Sequence, residues 1–164
     1  MRSRGSPELA RDRTVEPDFD LAMETAPRMA VAEGLSDAFR SPETPPFSKT
    51  LAHLFGHSAP SQRTAVLNSL MATLGPDAVA RQLKKAAIPG ADRIAVGRWI
   101  EPDLAEDVSP DAVEELAAAA EQRDSRIVDR LAEYYAVQPA LIKTLGEPAI
   151  SVVLAHLRRE ANEP

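Results

Sequence analysis

Two histidines four residues apart, His53 and His57, are the first candidates for chemistry. On a helix that spacing puts two imidazoles on one face, toward a shared metal. A zinc-hydrolase helix needs glutamate directly after the first histidine, and Leu54 stands there instead. Gly56, just before the second histidine, is a natural helix end. The pair is therefore expected to be exposed or capping, and no metal site is assigned. His156 falls beside an apolar stripe, at its boundary. Carboxylates crowd residues 101–125, where Glu101, Asp103, Glu106, Asp107, Asp111, Glu114, Glu115, Glu121 and Asp124 face only Arg123. Two of them could serve as an acid and base pair. No histidine or glycine-rich loop singles out a pair, so the stretch reads as a solvated helix face, or as an acidic docking surface for a basic partner. The chain has no Gly-x-Ser-x-Gly elbow, phosphate-binding loop or dinucleotide fingerprint. It has no cysteine, which excludes a thiol nucleophile, a disulfide and a thiolate metal site. No catalytic residue, metal or cofactor is expected, and the chain reads as non-enzymatic.

A basic segment carries the alternative reading. Residues 76–100 hold Arg81, Lys84, Lys85, Arg93 and Arg98 against Asp77 and Asp92. A helix, the turn Ile88-Pro89-Gly90 and a second apolar stretch give an order like that of helix-turn-helix DNA readers. The turn is about two residues longer than that motif uses, and the acidic stretch that follows repels phosphate. The net charge of −6 argues against nucleic-acid or anionic-membrane binding by the whole surface. Nucleic-acid binding by these five cations is thus the alternative, not the first choice.

The elements that must position these groups are helical. Hydrophobic residues make up 44% of the 164 residues and aromatics only 4%, so alanine, leucine and valine must fill the interior. That suits close helix packing. Periodicity starts near Phe19, with Leu21 and Met23, and resumes after Pro27 with Val31, Leu35, Ala38 and Phe39 on one stripe. The prolines of 42–46 stop it. Phe47, Leu51, Leu54 and Phe55 mark a short helix ending at Gly56. Val66, Leu67, Leu70, Met71 and Leu74 mark the next, with Ser58 or Ala59 as its N-cap and Gly75 as its C-terminal stop. Pro76 opens a helix carrying Val79 and Leu83. Residues 92–100 fit a helix or a strand; a helix is favoured because no second strand offers a pairing edge. Ser109-Pro110-Asp111 is a helix start, Asp124 caps a helix with Ile127, Val128, Leu131, Tyr134 and Tyr135, and Pro139 begins a short one closing at Gly146. Pro148 opens the last, with Ile150, Val153, Leu154 and Leu157 on its stripe and Arg158 and Arg159 at its negative end. Pro76-Asp77-Ala78-Val79 recurs as Pro110-Asp111-Ala112-Val113, a spacing of 34. Tetratricopeptide repeats have a similar period, but their aromatic and glycine signature is missing, so the echo reads as reuse of a good helix start.

Three phrases carry a resemblance: Ala38-Phe39-Arg40-Ser41 running into Thr44-Pro45-Pro46-Phe47, then Leu54-Phe55-Gly56-His57-Ser58, then Tyr134 through Leu145-Gly146. Together they resemble a group of small bacterial helical proteins, the YidB-like proteins, over roughly residues 35–157. The resemblance implies a bacterial, helical, non-catalytic protein and brings no activity with it. The expected fold is all-α: an irregular bundle of about seven short helices, with a disordered tail over 1–17 and a single helical domain over 18–160. No run of about 18 apolar residues appears, and the basic start lacks a signal peptide's apolar stretch; a cytoplasmic location is expected. The expected function is a protein-interaction or structural module, self-associating through an apolar stripe left exposed.

Overall fold

The computed structural model describes residues 17–94 and 100–162, with Arg93 described in its backbone only. The tail expected over 1–17 lies, but for Pro17, outside the described residues. The chain is all-α. Among the described residues the helices are α1 (17–25), α2 (Arg28–Arg40), α3 (Phe47–Gly56), α4 (Pro60–Leu74), α5 (Pro76–Lys85), α6 (Pro102–Asp107), α7 (Pro110–Arg123), α8 (Arg126–Tyr135), α9 (Pro139–Lys143) and α10 (Glu147–Ala161), with a 3₁₀ turn over Ala91–Arg93. Short helices are the direct consequence of proline placement. α4, α5, α6, α7, α9 and α10 each carry proline in the first or second position, where the missing amide hydrogen costs nothing. Both copies of Pro-Asp-Ala-Val are such starts, and Val79 and Val113 are fully buried.

The helices group into two compact units. One comprises the chain up to Thr44 and from Ala132 onward; the other comprises Pro45–Leu131, so the boundary falls inside α8. In the first unit the main packing is of α2 against α10. The expected stripes are both buried: Val31, Leu35, Ala38 and Phe39 on one helix, Ile150, Val153, Leu154 and Leu157 on the other. Gly34 sets their separation. A Cβ at this position would stand 3.2 Å from the Val153 carbonyl oxygen and 3.3 Å from its Cα, a tight contact that a larger residue could make only if the Val153 backbone gave way.

In the second unit α3 packs on α7, and α4 packs on α6, α7 and α5. Local polar groups close the helix ends. Ser58 does not cap α4: Ala59 is the N-cap, and the Ser58 hydroxyl donates back to the Leu54 carbonyl at 2.6 Å. Arg63 finishes the same helix end, donating to the carbonyls of Phe55, Gly56 and Ser58 at 3.1, 3.1 and 3.2 Å while its guanidinium lies 5.0 Å from the Phe55 ring centre. Ser109 caps α7 as expected, its hydroxyl accepting from the Ala112 amide at 3.2 Å. α5 ends in a Schellman motif, with Ile88 N–H bonded to Leu83 O and Ala87 N–H to Lys84 O, both at 2.9 Å. Ala87 occupies its left-handed position, at φ 60°, where glycine is usual.

The segment over 92–100 departs from a helix where it is described. It begins as the single 3₁₀ turn, Ile94 is extended, and 95–99 lie outside the described residues. Ile100 is buried, and Asn68 supplies the pairing a strand neighbour would give. Its side-chain amide accepts from Ile100 N–H at 2.8 Å and donates to Ile100 O at 3.3 Å.

Candidate functional site

The first unit holds an apolar groove. α1, α2 and α10 leave between them a recess of about 560 Å³. Its floor and walls include Ala22, Ala26, Ala30, Leu154 and Leu157, and Leu21 stands on its edge. The alanines keep the walls low, because α1 and α2 turn small side chains toward α10 at these positions. Leu21 is 64% exposed, the largest value for a large hydrophobic among the described residues; Met29 and Val137 follow at 59% and 54%. The rim carries both signs of charge. Arg158 donates to Asp18 at 3.4 Å, both of them lining residues; elsewhere on α1, Asp20 accepts from Lys143 at 3.0 Å. The size falls in the range of ligand and peptide recesses.

On the same helix pair lies a polar cluster around His156. Its Nδ1 is 2.9 Å from Asp37 Oδ2, and its Nε2 is 3.2 Å from Glu33 Oε1 and 3.7 Å from Glu160 Oε2. Arg159 reaches Asp37 Oδ2 at 3.4 Å. The imidazole side chain is only 14% exposed, whereas the three carboxylates are about half exposed. The sequence places His156 at the edge of the stripe, which is where it sits. Its partners on α2 are more than a hundred residues away and carry no signal in the sequence beyond the four-residue spacing of Glu33 and Asp37.

The residues singled out by sequence fall in the second unit. His53 and His57 are exposed, and their ring centres lie 4.5 Å apart. His57 is the C-cap of α3, and its Nδ1 is 3.0 Å from the His53 carbonyl. In the acidic stretch Glu114, Glu115 and Asp124 each take a separate partner. Lys49 meets Glu114 at 3.1 Å, and Gln82 donates to Glu115 at 2.8 Å. Asp124 accepts from the Arg126 backbone and side chain at 3.0, 3.0 and 2.9 Å. Those hydrogen bonds hold the Asp124 carboxyl down at about 2, and the same pairing raises Arg126. Of the five cations in the basic segment, Arg81, Lys84 and Lys85 are exposed on α5. Arg81 and Lys85 share with Glu115 the lining of a recess of about 410 Å³. The Arg93 side chain and Arg98 lie outside the described residues.

No family model, curated protein or solved structure matches this chain, and no match supports the resemblance to YidB-like proteins. Among the described residues no helix is long and apolar enough to cross a membrane.

Proposed function

We propose that the chain is a non-enzymatic protein-interaction module that works in the cytoplasm and self-associates through the groove of α1, α2 and α10. The observation that carries this reading is the self-complementarity of that surface. A two-fold interface uses the same patch twice, so the patch must supply both the projection and the recess. Leu21 is an exposed apolar side chain that itself lines an apolar recess, so one copy can offer it to the recess of the other. The rim also supplies both charges: Asp18 of one copy can meet Arg158 of the other, exchanging the internal 3.4 Å pair for two across the interface. Burying the exposed part of Leu21 twice contributes roughly 2–4 kcal/mol of transfer energy, before the cost of association.

Size-exclusion chromatography with light scattering tests it. The full chain is expected to elute as a dimer, and Leu21→Asp as a monomer. Met29→Asp and Val137→Asp, placed at the other exposed hydrophobics, are expected to leave the dimer intact. A wild-type monomer at high micromolar concentration would remove the reading, as would a dimer indifferent to Leu21→Asp.

The alternative, nucleic-acid binding through Arg81, Lys84, Lys85, Arg93 and Arg98, is supported by the exposure of the three α5 cations on neighbouring turns. It predicts salt-sensitive DNA retention that Lys84→Glu with Lys85→Glu abolishes.

A further inference from the structure

We infer that His156, Glu33 and Glu160 form a binding site for a divalent transition-metal ion of the zinc class, joining α2 to α10. Glu33 and Asp37 are four apart on α2, and His156 and Glu160 are four apart on α10, so each helix presents one pair on one face. The two helices pack together, and Gly34, beside Glu33, lets them come close. The two pairs therefore meet.

The geometry fits a cation. His156 Nε2, Glu33 Oε1 and Glu160 Oε2 all lie within 4.8 Å of one another. Nε2 stands 3.2 Å from one oxygen and 3.7 Å from the other. Tetrahedral ligands with bonds of 2.0–2.1 Å sit roughly 3.3 Å apart, so small rotations of two half-exposed glutamates complete the set. One nitrogen and two carboxylate oxygens is a borderline-hard donor set that zinc accepts, with water in the fourth position.

The hydrogen bonding of His156 supplies the independent reason. Both ring nitrogens face carboxylates. Two ring protons would satisfy both neighbours, and a cation held between Nε2 and the two glutamates can take the place of the second proton, because the neutral ring offers a lone pair there. Asp37 then accepts the Nδ1 proton at 2.9 Å, the outer carboxylate that fixes tautomer and ring orientation in metal-bound histidines. Asp37 is thus a positioning residue, itself steadied by Arg159 at 3.4 Å. His53 and His57 are the competing pair, but the His57 Nδ1 is turned to the His53 carbonyl and no carboxylate completes a three-ligand group there among the described residues.

Calorimetric titration of the tag-free full chain with zinc chloride tests the site. One equivalent should bind, and Tm should rise by roughly 5–10 °C at a hundredfold excess over Kd. Glu33→Gln with Glu160→Gln keeps the size and exposure of both side chains and should weaken binding more than tenfold, with the helical circular dichroism unchanged. His53→Gln with His57→Gln should bind as the wild type does. Asp37→Asn should lower affinity about 10–100-fold at unchanged stoichiometry and move the His156 Nδ1 resonance. On the wild-type chain, independent of any variant, zinc should shift the nitrogen resonance of His156 Nε2 and leave His53 and His57 in place. Absence of zinc binding, binding indifferent to the paired glutamate variant, or binding lost with His53 and His57 would each overturn the assignment.

Discussion

The two units handle their charged groups differently. In Pro45–Leu131, most polar groups serve the chain within a few residues of themselves. Arg63 closes the end of α3 five to eight residues back, His57 turns to His53, and Asp124 caps α8 through Arg126. In the other unit they join segments more than a hundred residues apart in the sequence: Lys143 to Asp20, Arg158 to Asp18, and His156 to Glu33 and Asp37. The first pattern holds up individual helices. The second is what remains when two distant segments of chain close on each other. It leaves an apolar recess and a histidine among carboxylates on the same helix pair.

If close approach of α2 and α10 organises the first unit, Gly34 should matter more than the glycines of Pro45–Leu131. Gly34→Leu pushes a side chain into the Val153 backbone and should cost about 2–3 kcal/mol. Gly56→Ala meets only the Pro110 ring at 3.5 Å and should stay within about 0.5 kcal/mol. Urea denaturation reads both, and equal costs would break the contrast.

Local capping in Pro45–Leu131 sets the next effect. Ser109→Ala removes the acceptor for the Ala112 amide and should lower stability by about 1 kcal/mol, read in the same urea midpoints. Ala87→Gly should go the other way, raising stability by about 0.5–1 kcal/mol, because glycine holds the left-handed end of the Schellman motif without a Cβ clash. The smallest effect concerns Asp124. Its carboxyl is depressed in the folded chain, so its contribution is complete above about pH 4 and is lost as pH falls toward about 2. Asp124→Asn should flatten the stability profile across that window, lowering stability slightly at neutral pH, where the charged pair is complete, and changing little near pH 2, where it is already lost.

Helices were legible because their signals are local. A proline at a first turn, a serine before it and an apolar residue every three or four positions need no knowledge of the rest of the chain. The stripes of α2, α3 and α10 are buried as expected. One local reading narrowed and one changed. Of the two N-cap candidates Ala59 takes the place while Ser58 back-bonds to the helix it follows, and Ile100 takes its hydrogen bonds from the side chain of Asn68. Both choices depend on which acceptor is nearer once the helices have packed. α6, six residues within the acidic run, was too short to show a period. The His156 cluster was not legible for a different reason. Its two halves are separated by more than a hundred residues, and only the packing of α2 on α10 brings them into register. Sequence motifs pointed to His53, His57 and residues 76–100, whereas the most concentrated geometry lies around Leu21 and His156.

The central claim is that the groove of α1, α2 and α10 is the surface where two copies meet. Methyl NMR of the full chain over a dilution series tests it most directly. The account predicts concentration-dependent shifts at Leu21, Leu154 and Leu157, with Val66, Leu70 and Val79 unmoved and the changes abolished in Leu21→Asp. Shifts centred on residues of Pro45–Leu131, or spectra independent of concentration, would contradict it.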